Sequence, residues 1–182
     1  MEYPLTFEPS RRAPSKKEMD WLHNWIKSKS FPQNSKILEF GCGITTWVIS
    51  DAIGEYEKYL CVENFEPCIN KVKQHVKKVD FISTSWADIP KEPYNLVFVD
   101  ASSCPPKNLK SIIPGATLFR DDAINYVINF TSDDCVFIIH DWCYKLSWLR
   151  PQKYFTELNY KLIDCLKTRH GIGIYQKGVF TS

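Results

Sequence analysis

The residues of this chain that can do chemistry fall in four short clusters, each at the end of an apolar run. They are Glu39-Phe40-Gly41-Cys42-Gly43, then Glu63, then Asp100, then His140-Asp141. Two glycines one residue apart let a chain turn sharply and bring its backbone close to a ligand. A carboxylate about 20 residues further on, at the end of a second apolar run, can accept both hydroxyls of a ribose. Gly41, Gly43 and Glu63 therefore suit an adenosyl ligand. Asp100, His140 and Asp141 supply two carboxylates and an imidazole. That set suits a hard divalent ion such as Mg²⁺, bound through Asp100 and Asp141, holding an acceptor oxygen and lowering its pKa. It equally suits a metal-free general base, most naturally His140. A third use is a structural His–Asp pair that closes a strand.

Elements must bring these clusters together. Ser15 and Glu18 form a capping box, so a helix is expected over 15–30, with Met19, Leu22 and Ile26 on one face. Strands are predicted at 36–40, 59–62, 81–82, 95–99 and 135–139. Helices are predicted at 44–53, at 65–79 (from the spacing of Phe65, Ile69, Val72, Val76 and Val79), at 118–130 and from Pro151 to about Leu158. Two last strands, 160–166 and 171–175, are separated only by a short turn and should pair antiparallel. The alternation before them implies parallel strands covered on both faces. The expected fold is α/β: a doubly wound, Rossmann-like, seven-stranded sheet, mostly parallel with the last strand antiparallel. One domain is expected over 1–182, with an irregular arm at 1–14, the N-terminal helix at 15–30 and the α/β core at 36–182. In such sheets ligands bind at the carboxyl ends of the strands, which is where the four clusters lie. Asp100 and His140 can then converge although 40 residues separate them.

Composition narrows the function. The 182 residues are 44% hydrophobic, which excludes a disordered chain. A net charge of +2 does not call for a polyanionic partner, and Lys71, Lys73, Lys77 and Lys78 read as one solvated helix face. No nucleic-acid partner is expected. The seven cysteines contain no CxxC pair, and Cys61, Cys135 and Cys165 sit in apolar runs. They read as buried free thiols in a reducing compartment. Residues 1–14 have no apolar signal core, and no stretch approaches the roughly 20 residues of a membrane span. A cytoplasmic protein without a membrane partner is expected.

The glycine turn also selects among adenosyl ligands. A dinucleotide fingerprint needs a third glycine at position 46, where this chain has Thr46, and no P-loop sequence occurs. S-adenosylmethionine (SAM) carries no phosphate and needs neither. The segment Leu38-Glu39-Phe40-Gly41-Cys42-Gly43-Ile44-Thr45-Thr46 resembles the first motif of class I SAM-dependent methyltransferases. More narrowly, it resembles the E-x-G-x-G-x-[ST]-T form of small O-methyltransferases. Val62-Glu63 and 94–100 resemble that family's second and fourth motifs, and the likeness spans about 36–141. The resemblance implies that Glu39, Gly41, Gly43 and Thr45 surround the methionine end of the cofactor. It implies that Glu63 holds the ribose, that Ser85 and Trp86 lie beside the adenine, and that Asp100 borders the cofactor.

Asp100 and Asp141 resemble the strand-end acids of metal-dependent O-methyltransferases of the catechol and macrolide-sugar types. Those enzymes add another acid or Asn beside them, where this chain has Ala101 and Trp142. The stretch from Arg120 to Asp141 resembles plant polysaccharide O-methyltransferases, in which an arginine helix precedes a strand ending in His-Asp. Arg120 would then grip an acidic sugar or the cofactor carboxylate, or else pair with Asp121, Asp122 or a helix end. The acceptor walls would come from the arm, from 101–117 and from 142–150, with Trp142, Tyr144 and Trp148 suited to stacking on a ring, to packing or to a homodimer contact. The expected activity is SAM-dependent O-methylation of a hydroxyl on a small molecule or glycan. Its rivals are an NAD- or nucleotide-binding α/β enzyme and a non-catalytic interaction module on the same fold. Asp100-Ala101-Ser102-Ser103 lacks the N-x-x-[FYW] tetrad of enzymes that methylate base amino groups.

Overall fold

The computed structural model describes residues 2–4, 14–82, 89–100, 124–142 and 155–178. The predicted Ser85, Trp86, Arg120, Tyr144 and Trp148, and the beginnings of the helices expected at 118 and 151, lie outside the described residues.

Helix α1 (Lys16–Ser28) starts where the capping box requires. Ser15 accepts from the Glu18 backbone N–H, and Glu18 accepts from the Ser15 N–H, so two orphan donors of the first turn are satisfied together. Met19, Leu22 and Ile26 form its buried stripe. The sheet strands are β1 (Lys36–Phe40), β2 (Lys58–Val62), β3 (Asp80–Ile82), β4 (Tyr94–Val99), β5 (Thr131–His140), β6 (Tyr160–Leu166) and β7 (Ile172–Lys177). Helix α2 (Ile44–Ile53) joins β1 to β2, and α3 (Glu66–Lys73) joins β2 to β3. The strands lie in the order β3-β2-β1-β4-β5-β7-β6. β1 through β5 pair in parallel, and β7 is antiparallel to both β5 and β6. The expected seven-stranded sheet with one reversed strand is therefore present.

Both faces are covered, which is why the strands read as unbroken apolar runs. One face carries Leu38, Phe40, Leu60, Val97, Val99, Phe137 and Ile139. The other carries Ile37, Tyr59, Leu96, Phe98, Ile138 and Ile174 against α1 and α2. No helix among the described residues is long and apolar enough to cross a membrane.

Two expectations need correction. The helix predicted at 65–79 stops at Lys73, although Val76 stays buried. The chain has to turn there to enter β3 at Asp80, so the helical spacing outlasts the helix. Cys165 is only partly buried, because β6 is the edge strand of the sheet.

Candidate functional site

Ladder bonding continues one residue past each strand and so aligns the tips. Gly41 N–H donates to the Val62 carbonyl at 2.9 Å, Glu63 N–H to Ile82 at 3.0 Å, and Asp100 N–H to Phe40 at 2.9 Å. Gly41, Glu63 and Asp100 thereby share one rim of the sheet. On the other side of β5, Trp142 N–H donates to Gly171 at 3.1 Å, and His140 is paired with Ile172. Residues just before β7 are thus brought beside residues just after β5.

The β1 tip is a braced turn. Gly41 has φ of 88°, a conformation that needs glycine. Beneath it Glu39 is fully buried, accepting from the Thr45 hydroxyl at 2.7 Å and from the Tyr59 phenol at 2.7 Å. Burial pushes the Glu39 carboxyl up to about 7, against the lowering from those hydroxyls. Thr46, also buried, accepts from the Gly43 N–H at 3.0 Å. Glu63 stands across the turn. One of its oxygens accepts from the Cys42 N–H at 3.2 Å, and the other from the Asn64 and Phe65 N–H groups, both at 2.8 Å. Backbone donors therefore hold this carboxylate in place at the rim. Beside it Phe65 leaves 62% of its surface exposed.

The second group centres on β4 and β5. His140 Nδ1 lies 2.9 Å from an Asp100 oxygen and 3.8 Å from an Asp141 oxygen. Ligand atoms from Asp100, His140 and Asp141 all lie within 4.8 Å of one another. His140 is wholly buried, while the side chains of Asp100 and Asp141 are 15% and 19% exposed. Burial pushes the His140 imidazole down, but the Asp100 charge and hydrogen bond, with Asp141 behind, carry it above its ordinary value. His140 is therefore the most deeply buried of the three groups. Asp141 has φ of 58°, a left-handed backbone that costs of order 1 kcal/mol in a non-glycine residue and turns the chain sharply off β5.

Two contributors escaped the sequence reading. His170 Nδ1 lies 2.7 Å from the Asp141 oxygen, and its ring stacks over His140 at 5.8 Å between centroids. His170 sits in the turn between β6 and β7, and only the strand order reveals that this turn abuts the β5 tip. Glu18 is the other. Besides capping α1 it accepts from the Thr168 hydroxyl and from the Gly171 N–H at 3.0 Å, so it clamps that same turn. Of the uses open to Trp142, packing is the one with contacts among the described residues. Its indole lies flat on Gly173, where an added Cβ would stand 2.2 Å from the ring, and its N–H donates to the Tyr175 hydroxyl at 3.2 Å.

Against known proteins, no family model matches the chain, and no curated protein matches it by sequence. Solved structures do match. An O-methyltransferase from Bacillus cereus in complex with S-adenosylhomocysteine (SAH) superposes with a TM-score of 0.66 at 12% identity, over 92% of this chain and 84% of that one. The O-methyltransferase TomG from Streptomyces achromogenes, in complex with SAM, gives 0.63 at 12% identity over 96% and 93%. A ribosomal protein L11 methylase from Lactobacillus delbrueckii subsp. bulgaricus gives 0.63 at 11% identity over 91% and 81%. The fold is that of the class I methyltransferases. At these identities the likeness fixes the architecture alone, and it includes both O-methyltransferases and a ribosomal protein methylase.

Proposed function

We propose that this chain is a SAM-dependent methyltransferase acting on a hydroxyl of a small molecule or glycan. The observation that carries the proposal is the Glu63 carboxylate held across the Gly41–Gly43 turn on a class I sheet. Gly41 and Gly43 would admit the methionine end, Glu39 and Thr45 would brace the turn from below, and Glu63 would accept the ribose hydroxyls. The exposed Phe65 ring beside Glu63 offers an apolar face for the adenine. The dinucleotide alternative is disfavoured by Thr46, whose hydroxyl occupies the Gly43 N–H that a pyrophosphate would need.

SAM bound in this cradle supplies a methyl group on a sulfonium, open to in-line attack. The chain's own task is to orient the acceptor oxygen, exclude water and receive the hydroxyl proton. Asp100 and Asp141 reach the rim and are the groups we assign to the acceptor. His140 backs Asp100 from the interior, and His170 holds Asp141. A second reading is favoured by the convergence of Asp100, His140 and Asp141 within 4.8 Å. The donor set fits a hard divalent cation, held by the two carboxylates, which would lower the pKa of an acceptor hydroxyl. The free thiols among the described residues are consistent with a cytoplasmic setting.

Calorimetric titration with SAM, SAH and NAD⁺ tests the cofactor. Binding of SAM and SAH alone is expected, and binding of NAD⁺ alone would overturn the proposal. Once an acceptor is found, activity that survives excess chelator would remove the cation from the second reading.

A further inference from the structure

The cofactor half holds three thiols for which methyl transfer has no use. Cys42 lies between the two glycines of the turn, Cys61 lies in β2, and Cys68 lies in the first turn of α3. The Cys68 thiol donates to the Cys42 carbonyl at 3.2 Å. The Cys42 thiol interacts electrostatically with those of both Cys61 and Cys68. Cys61 is wholly buried on a central strand, whereas Cys42 and Cys68 are each partly exposed. Only the latter two are open to a reagent from solvent.

We propose that Cys42 and Cys68 form an oxidation-sensitive pair whose disulfide pins the β1–α2 turn to α3 and closes the cofactor cradle to SAM. The bond stands on the seating of the Cys68 thiol against Cys42 and on the partial exposure of both residues, while its effect on SAM rests on the cofactor reading above. With hydrogen peroxide as oxidant, one thiolate attacks a peroxide oxygen, an S–O bond forms, the O–O bond breaks, and hydroxide leaves as water. The second thiolate attacks that sulfur, the S–S bond forms, the S–O bond breaks, and a second water departs. Two thiols and one peroxide give one disulfide and two waters, and a dithiol reductant reverses the change.

The link to the cofactor is the Cys42 backbone. A disulfide draws its sulfurs to about 2.04 Å, well inside any thiol contact. That contraction moves Cys42 toward α3. The Cys42 N–H is one of the donors that hold Glu63, so the displacement disturbs the carboxylate assigned to the ribose. The contact with Cys61, with burial, holds the Cys42 thiol above the ordinary cysteine range against a lowering from Cys68, and the contact with Cys42, with burial, holds Cys68 above it. Little thiolate exists near neutral pH, so the pair answers to sustained oxidant and responds faster as pH rises.

The test treats the full chain with hydrogen peroxide, maps cross-linked peptides by mass spectrometry, and titrates SAM into reduced and oxidised protein. A peptide joining Cys42 to Cys68 is expected, with affinity for SAM reduced about tenfold or more and restored by dithiothreitol. Cys68→Ser and Cys68→Ala should bind SAM as the reduced wild type does and keep that affinity after peroxide. A map without this cross-link overturns the proposal, as does a cross-link that leaves affinity unchanged or an equal loss in the Cys68 variants. If reduced wild type fails to bind SAM, the cofactor reading falls and the closing of the cradle with it, while the peptide map still decides the bond.

Discussion

Two buried glutamates support the two halves of the strand-tip rim, and their surroundings drive them in opposite directions. Glu39 lies under the cofactor half and meets two side-chain hydroxyls, from Thr45 and Tyr59. Burial prevails there, and its carboxyl rises to about 7. Glu18 lies under the half that we assign to the acceptor, around Asp100 and Asp141. Burial pushes it up as well, but hydrogen bonds from Thr168, from the Ser15 backbone and side chain, and from Gly171 together bring it below its ordinary value. Glu39 is the more deeply enclosed and also feels the Asp100 charge, whereas Glu18 has backbone donors, fixed by a helix start and a tight turn, beside its hydroxyl partners. The cofactor half is thus a local brace that tolerates a neutral acid. The acceptor half is a long-range clamp that depends on a charged one.

The comparison can be broken most severely at Glu39. Glu39→Ala should leave two buried hydroxyls without an acceptor and cost roughly 3 kcal/mol in chemical denaturation, with SAM binding lost. If SAM still binds with unchanged affinity, the turn does not need its brace. Gly173→Ala should strike the other half. Its Cβ collides with the Trp142 indole, so overpacking of about 1–3 kcal/mol is expected, with SAM affinity retained in the folded fraction. Coupled loss of SAM binding there would show that the halves are not separable. Glu63→Ala should weaken SAM binding about 10- to 100-fold by calorimetry with little change in Tm, since its partners are backbone groups that water can satisfy.

The smallest effects lie in the pH dependence of Tm. The fold keeps Glu39 protonated up to about 7, whereas the unfolded chain ionises near 4.5. Stability from this residue is therefore full below 4.5 and lost as pH rises toward 7, and Glu39→Gln should flatten that decline. Glu18 has the reverse sign. Its stabilisation is present above 4.5 and lost as pH falls through its lowered folded value, so Glu18→Gln should flatten the acid limb alone. Identical pH profiles for the two variants would erase the contrast drawn above.

The same contrast explains what could be read from the sequence. The half assigned to the cofactor is built from residues 39–63, where strand, turn, helix and acid follow one another, so Gly41, Gly43 and Glu63 could be named from spacing and Glu39 from the family resemblance. The capping box of α1 and the bounds of β1 and α2 were equally local. The acceptor half gathers residues 18, 100, 140, 141 and 170. Asp100, His140 and Asp141 were found because strand ends are marked by the polar residue that follows an apolar run. His170 was missed because it follows no such run. It precedes β7, and only an antiparallel strand seated against β5 brings it to the tip of that strand. The second role of Glu18 was hidden by its first, since a capping box already accounts for a glutamate in that place. The burial of His140 was out of reach for a different reason, because spacing shows that a residue ends a strand but not how deeply its neighbours cover it.

The placement of β7 also orders the birth of the molecule. On the ribosome, β1 to β4, the Gly41–Gly43 turn and Glu63 have all been synthesised by residue 100. The outer edge of β5 has no partner until residues 172–177 have been made, although β6 precedes them. A nascent chain therefore passes through a stage in which Glu39, the glycine turn and Glu63 have been made while His170 and Gly171, which complete the surroundings of Asp141 and Glu18, have not. During that interval β5, the longest strand among the described residues, carries an open edge, the surface most prone to pair with the wrong neighbour.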